Sequence, residues 1–475
     1  MNRIYATLLA AWCFSCASPT TTQAQTWTIG NTVLTESDLV TGITLPWEIL
    51  WGPDDYIWAS CRNGEVLHID PETGNYTTIL DITGVTPDEG SSEPGLLGMA
   101  LHPDFATTPK VFLVYCYEVG NSIKERLVSY DWNGTSLENE SILINTIPGN
   151  WIHDGSRIVI SPDQKIMMST GDTGTGGALS QDIASLNGKI LRVNLDGSIP
   201  ADNPDPTSYV WSFGHRNGQG LCYGPTGILY ESEHGQSNSD EFNIIEQNRN
   251  YGWPTVQGAC NTGSEQTFCD ENNVMEPLKE WSPCVAVNGI EYYNHPAIPE
   301  WSNSILMGVM GGLGGTNGSN DRVSVLHLSS DGLTVELEEK YFTSLNQRFR
   351  DICVNPYTGA VYVALNGTGY PGTTPNKIKE FRNLAYNSVK EPAATVGQQF
   401  NIYPNPASNQ LSYDAANTLV GNTLSIYNYD GQLIKEFAIT GVNETLDISD
   451  LKAGSYWTMI TSKLGTVTRN FVKVN

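Results

Sequence analysis

The sequence predicts an all-β protein: a six-bladed β-propeller followed by a small C-terminal antiparallel β-sandwich. Three observations carry that expectation. A hydrophobic strand, a Pro-Asp or Pro-x-x-Gly turn and a second hydrophobic strand recur along the body of the chain. The 475 residues include 46 Gly and 25 Pro with 10% aromatics, a composition suited to many short strands joined by turns. Towards the C-terminus, alternating apolar runs flank Asp430-Gly431, a strong hairpin signal.

Taken in chain order, Arg3 followed by an apolar stretch over residues 4–16 and small residues at Thr22-Gln23-Ala24 predicts a secretory signal over residues 1–24. Cys13 and Cys16 make a lipoprotein the alternative, although Cys13-Phe14-Ser15 is a poor lipobox. Export implies a compartment in which disulfides persist. Beyond the signal stand Cys61, Cys116, Cys222, Cys260, Cys269, Cys284 and Cys353, an odd number, so at least one stays free or pairs in trans. Cys260, Cys269 and Cys284 share one loop-like region, where a Cys260–Cys269 bridge is favoured. The absence of CxxC and of paired histidines argues against zinc.

The repeat occupies residues 25–383. Trp51-Gly52-Pro53-Asp54-Asp55 leads into Tyr56-Ile57-Trp58-Ala59, and Leu101-His102-Pro103-Asp104 leads into Val111-Phe112-Leu113-Val114-Tyr115. Ile160-Ser161-Pro162-Asp163, Tyr223-Gly224-Pro225-Thr226-Gly227 and Asn355-Pro356-Tyr357-Thr358-Gly359 each precede another such run, and a degenerate copy spans residues 292–309. Each phrase is an antiparallel pair about a tight turn. Some continue into an outer strand, as at Ile190-Leu191-Arg192-Val193-Asn194. Spacings of about 50–70 residues mark radial repetition rather than a helical solenoid. One such sheet cannot bury both its faces, whereas six around an axis can. An irregular β-sandwich is the alternative.

Charge narrows the function. With 25 Lys and Arg against 51 Asp and Glu, the net charge of −26 excludes an electrostatic grip on nucleic acid or anionic lipid. No run of about 18 apolar residues predicts a membrane span.

Four segments carry the candidate chemistry. The first is Glu93-Pro94-Gly95-Leu96-Leu97-Gly98, continuing to His102-Pro103-Asp104-Phe105. The second is His153-Asp154-Gly155-Ser156-Arg157, followed by Gly171-Asp172-Thr173-Gly174 and Asn187-Gly188-Lys189. The third is Gly214-His215-Arg216-Asn217-Gly218-Gln219-Gly220, running on through Glu233-His234-Gly235 and Asp240-Glu241-Phe242-Asn243 to Asn250-Tyr251-Gly252-Trp253-Pro254. The fourth is Arg348-Phe349-Arg350-Asp351, whose arginines, two apart, face the same side of a strand and suit a bidentate grip on carboxylates. His153 stands in a loop at a strand start, and an imidazole titrating near neutrality suits a general base.

These motifs, in this order, resemble the glucose/sorbosone dehydrogenase family, soluble sugar dehydrogenases that use pyrroloquinoline quinone (PQQ). The resemblance covers most of residues 45–385 and implies a six-bladed propeller. It implies that His153 takes the anomeric hydroxyl proton of an aldose while hydride leaves for the quinone. An external electron acceptor would then reoxidise the quinol. It places Arg216, Asn217, Arg348, Arg350 and Glu93 at the cofactor. It assigns the loop carbonyls of Gly235 and Gln236 to the calcium that polarises the quinone. Asp240, Glu241 and Tyr251 look like ligands or supports of a second, structural calcium. Two departures stand out. No lysine falls in Leu306-Met307-Gly308-Val309-Met310-Gly311-Gly312, where many members carry one, so one cofactor cation is missing. Ile152 precedes His153 where some members have aspartate, so one orienting hydrogen bond is expected to be absent.

Residues 384–400 read as a linker. In residues 401–475, Tyr403-Pro404-Asn405-Pro406-Ala407, Leu451-Lys452-Ala453-Gly454-Ser455-Tyr456 and the terminal Lys473 resemble the type A sorting domain of the type IX secretion system. That resemblance implies passage through the type IX machinery to the cell surface or beyond. Two rival functions are a non-catalytic propeller that binds glycan or protein, and a calcium-dependent lactonase. The lactonase would need several inward carboxylates or Asn ligands on one central calcium.

Overall fold

The computed structural model describes residues 25–86, 93–311, 320–368, 373–386, 400–415, 419–428, 432–462 and 465–474. The predicted signal over 1–24, most of the predicted linker and the Asp430-Gly431 turn lie outside them. The chain divides into two compact units between Tyr386 and Asn387.

The first unit is built from six antiparallel sheets taken in chain order. Their innermost strands are Pro46–Trp51, Leu96–Leu101, Gly155–Ile160, Gly218–Tyr223, Val287–Tyr293 and Phe349–Val354. Five sheets have four consecutive strands. The sixth starts at Phe349–Val354, continues through Val361–Thr368 and Thr373–Arg382, and is completed by Thr32–Thr41 and Thr26–Ile29 from the start of the unit. Nothing in the repeat phrase announces that closure, because the pairing of Thr35 with Arg382 joins residues remote in sequence.

An apolar layer separates each sheet from the next. Trp58 and Val66 of the first meet Leu96 and Val111 of the second. Phe112 and Val114 of the second meet Ile158 and Leu191 of the third, and Met167 of the third meets Leu221 and Leu229 of the fourth. Tyr230 and Phe242 of the fourth face Ile305 and Leu326 of the fifth, and Leu306 and Val323 of the fifth face Val361 and Phe381 of the sixth. Tyr362 and Ile378 of the sixth then pack on Ile49 and Ile57 of the first, closing the cycle. A sheet covered on both faces has strands buried throughout, as at Ile57–Cys61 and Asp240–Ile245. Their sequences therefore lack the apolar–polar alternation of a half-exposed strand.

The helix Gly263–Asn272 interrupts the fourth sheet before its last strand, Lys279–Trp281. Thr262 and Glu265 form a capping box at its N-terminus, and Cys269 on the helix is disulfide-bonded to Cys260, the pairing favoured from sequence. The other described cysteines are free thiols.

The second unit has a three-stranded sheet, Phe400–Tyr403, Gln410–Ala415 and Asn443–Asp447. Its four-stranded sheet comprises Leu433–Ala438, Thr423–Asn428, Gly454–Ser462 and Gly465–Lys473. Leu411, Tyr413, Leu424, Ile426, Ile460 and Phe471 form a core shared by both sheets. Because each unit has its own core, removal of residues 387–475 should leave the first unit folded. The expected result is a strand-rich circular-dichroism spectrum and an unchanged urea midpoint for its transition.

Candidate active site

A cavity of about 360 Å³ opens at the end of the cycle where the innermost strands begin. Strand alternation brings two kinds of loop to that end: the entries to innermost strands, and the connections from second to third strands. Both supply the wall. Glu93, His153 and Arg348 come from entries; Arg62, Gly235 and Gly311 come from connections.

In all six sheets the innermost strand gains one residue on its partner near its start. The slips fall between Pro46 and Glu48, Leu96 and Met99, Gly155 and Ile158, Gly218 and Gly220, Val287 and Ile290, and Phe349 and Asp351. A bulge re-aims a side chain that regular pleating would send elsewhere. Trp47, Gln219 and Arg350, each the extra residue of its pair, line the cavity.

His153 has φ of 61°, a conformation that side chains other than glycine seldom adopt. It is held from three directions. Its N–H donates to Glu93 Oε2 at 2.7 Å, its carbonyl accepts from the Thr173 N–H, and its Nδ1 lies 2.7 Å from Asp172 Oδ1. Gly171 permits the approach, since a Cβ there would stand 1.8 Å from the His153 carbonyl oxygen. Asp172 also accepts from Gly174 N–H and Trp253 Nε1. Burial pushes its carboxyl up, but the His153 hydrogen bond and charge, with these donors, outweigh that and hold it below the usual carboxylate range. With Asp172 accepting from Nδ1–H, Nε2 presents its lone pair, 3.1 Å from the Arg216 guanidinium. The orienting carboxylate missing at Ile152 is thus supplied by Asp172. Ile152 itself lines the cavity.

Three arginines, Arg62, Arg348 and Arg350, line the cavity. Arg350 donates only to amide oxygens, of Asn366, Gln219 and Asn288, and among the described residues it forms no ion pair. Burial, and then the charges of Arg348 and Arg62, push its pKa down to about 9. Like charges held this way are complementary to an anion that is not part of the chain. Arg62 escaped the sequence reading; the signal available was an arginine in a second-to-third connection, at Cys61-Arg62-Asn63-Gly64.

Gly235 and Gln236 also line the cavity. The loop is tight there: a Cβ on Gly235 would stand 2.1 Å from the Asn238 carbonyl oxygen. Among the described residues no donor reaches the carbonyls of Gly235 and Gln236, so a hard cation could use them. Asp240 anchors this loop instead of reaching for an ion, since its oxygens accept from the N–H groups of Gly235, Val285 and Ala286.

Other expected ligands are not brought together. Asp240 and Glu241 are adjacent on one strand and point to opposite faces. The Glu241 side chain turns away to accept from Gly258 N–H and Asn243, and burial, then Glu233, push its pKa up to about 8. The Tyr251 hydroxyl donates to the Ile244 carbonyl and accepts from Glu246 N–H, with its ring stacked on His215. Asn217, expected at the cofactor, is buried and accepts from Gly155 N–H and Gln219 Nε2, setting the strand that carries the cavity wall. His215 lies between Glu231 and Glu233. Burial opposes its charge, but the two carboxylates outweigh burial and push its pKa up to about 10. The ligand-type atoms of His215, Glu231 and Glu233 lie within 4.8 Å of one another, and Glu233 also accepts the Arg216 backbone N–H.

Behind the cavity, Arg157 crosses the axis. It pairs with Glu48 at 2.6 Å and Asp351 at 3.1 Å, donates to the Gln219 carbonyl and packs over the Trp47 ring. Glu48 in turn accepts from Met99 N–H.

Fold and site together define a β protein of six sheets in a closed cycle, with an arginine-lined cavity beside a carboxylate-backed histidine. Residues 43–370 match the Glucose / Sorbosone dehydrogenase profile, and the chain belongs to that family, whose members include PQQ-dependent sugar dehydrogenases. It is 34% identical over 250 residues to quinoprotein glucose dehydrogenase B of Acinetobacter calcoaceticus, covering 46% of this chain and 52% of that protein, about half its length. It is 28% identical over 337 residues to an aldose sugar dehydrogenase of Escherichia coli, covering 67% of this chain and 86% of that one. The PQQ-bound aldose sugar dehydrogenase from Streptomyces coelicolor superposes with a TM-score of 0.61 at 29% identity, covering 73% and 96% of the two chains. The fold is thus propeller-like. Residues 401–474 match the secretion system C-terminal sorting domain, which marks the chain for type IX secretion to the cell surface or outside. No helix among the described residues is long and apolar enough to cross a membrane.

Arg157→Leu should leave Glu48 and Asp351 buried without their charge partner. The expected loss is about 3–5 kcal/mol of unfolding free energy, read from urea denaturation.

Proposed function

We propose that this chain is a secreted, PQQ- and calcium-dependent dehydrogenase that oxidises an aldose at its anomeric carbon to a lactone. In this reading the ring of sheets is a six-bladed propeller and the tail a small antiparallel β-sandwich that serves as the export address. The observation that carries it is that Arg62, Arg348 and Arg350 line the same cavity as His153, with Arg350 donating only to amide oxygens among the described residues. A tricarboxylate quinone fits that charge pattern.

Arg348 and Arg350 would hold cofactor carboxylates, and the carbonyls of Gly235 and Gln236 would hold calcium. When bound, PQQ supplies a two-electron acceptor for hydride. The chain's own residues do the rest. Asp172 keeps the proton on His153 Nδ1, so Nε2 receives the proton of the anomeric hydroxyl. Arg216 releases that lone pair to the substrate and turns to an anionic oxygen. Glu93 carries the charge of the wrong sign for a cofactor carboxylate; it fixes the backbone of His153 instead. Electrons leave to an external acceptor. The lactonase alternative is less well supported, because Arg62, Arg348 and Arg350 line the cavity, and two of its acidic groups, Glu93 and Asp240, already accept backbone N–H groups.

His153→Ala should bind PQQ normally and lose about 10²–10⁴-fold in turnover. Arg348→Ala and Arg350→Ala should instead lose affinity by roughly 30- to 5000-fold and regain activity at high PQQ. Fluorescence titration with PQQ and aldose turnover with an artificial acceptor separate the two classes. Wild-type protein that binds no PQQ in saturating calcium would sink the reading.

A further inference from the structure

The reading above leaves two buried carboxyls, one of them in the cavity wall, without a role. Asp154 follows the histidine and lines the cavity. Its Oδ1 accepts the Asn150 N–H at 3.0 Å, while Oδ2 is buried with no hydrogen-bond partner. Glu125, on the strand Ser122–Trp132 of the second sheet, is also buried. Its Oε2 lies 2.9 Å from Ser156 Oγ, and its Oε1 has no partner. The two side chains close around Gly149, where a Cβ would meet Asp154 Oδ1 at 3.3 Å and Glu125 Cγ at 3.4 Å.

Two ionised carboxylates in such a wall would repel each other and leave two acceptors unsatisfied. One proton between them removes one charge and turns an orphan acceptor into a donor. We infer that Asp154 and Glu125 share a single proton, and that this carboxyl pair ties the segment presenting His153 to the second sheet. The pair would act as positioning residues for the base, helping to hold it in its left-handed conformation. Ser156, which bridges Glu125 to the Asp154 carbonyl at 3.2 Å, belongs to the same tie.

The electrostatics agree. Burial and the Asp154 charge push Glu125 well above the carboxylate range. Burial pushes Asp154 up to about 7 against the Asn150 N–H. The other groups facing Asp154 are Glu93, which pushes it up, and the Cys116 thiol and Arg62, which pull it down. The sign follows. Both carboxyls are raised, so the folded protein holds protons that the unfolded chain has lost by neutral pH; stability from the pair is present at acid pH and falls as pH rises through about 7, where Asp154 ionises and one proton is left between the two.

The test uses full-length apoprotein, Asp154→Asn and Glu125→Gln. Either amide supplies permanently the donor that the shared proton supplies. We expect the wild-type melting temperature to fall more steeply between about pH 5 and 9 than that of either variant. An infrared protonated-carboxyl band should be present at pH 6 in the wild type and lost from the variant difference spectra. In PQQ-loaded protein, the alkaline limb of turnover should move upward in both variants. Parallel melting curves, or an unchanged carboxyl band, would overturn the shared proton. An unmoved alkaline limb would overturn its link to His153. The catalytic arm rests on the proposed function; the apoprotein arms do not, and wild type that fails to bind PQQ would strike that function alone.

Discussion

Six innermost strands must approach one axis, and the rest of the first unit follows from how that crowding is relieved. Neighbouring backbones come so close that a Cβ on Gly98 would sit 2.0 Å from the Ser156 carbonyl oxygen, and one on Gly220 would sit 2.6 Å from that of Asn288. Glycine is needed there because nothing larger fits. At the same end, each innermost strand carries its extra residue. The bulges unpair the strand starts, splay them and turn their side chains to a common centre. Arg157 then crosses that centre, linking its own strand to Trp47 and Glu48, to Gln219 and to Asp351.

The same geometry explains how a chain of net charge −26 presents a cationic cavity. Its arginines are few, but strand entries and second-to-third connections aim three of them into one space. Four acidic groups near the centre are occupied: Asp240 by three backbone N–H groups, Glu93 by His153, Glu48 and Asp351 by Arg157. Arg350 has no carboxylate partner among the described residues, and an anionic cofactor is a natural complement to its charge. No lysine falls in residues 306–312, and Arg62 of the first sheet is the third arginine lining the cavity with Arg348 and Arg350.

His153 illustrates how a reactive group is fixed by contacts remote in sequence. Its backbone is pinned by Glu93, its ring by Asp172, and Asp172 by Trp253. Each belongs to a different loop, and each loop is placed by its own sheet. The sorting tail has its own apolar core.

The sequence by itself determined what local chemistry encodes. Pro-Asp and Pro-Gly turns announce strand pairs wherever they stand, so the repeat, the all-β class and the separate tail were legible. The nine-residue spacing of Cys260 and Cys269 sufficed for their bridge. Strand alternation was also within reach, and would have separated Asp240 from Glu241 as two faces of one strand. Other features were decided only by the tertiary structure. A bulge depends on the partner strand, so the extra residues Trp47, Gln219 and Arg350 carry no local mark. Asn217 and Arg216 sit side by side at a strand entry, yet one turns into the wall and the other to His153. The Asp172 and Glu93 contacts to His153 join residues 19 and 60 positions apart. Side-chain direction and pairing across such separations follow from how the sheets close around the axis, and closure is a property of the whole ring rather than of any segment.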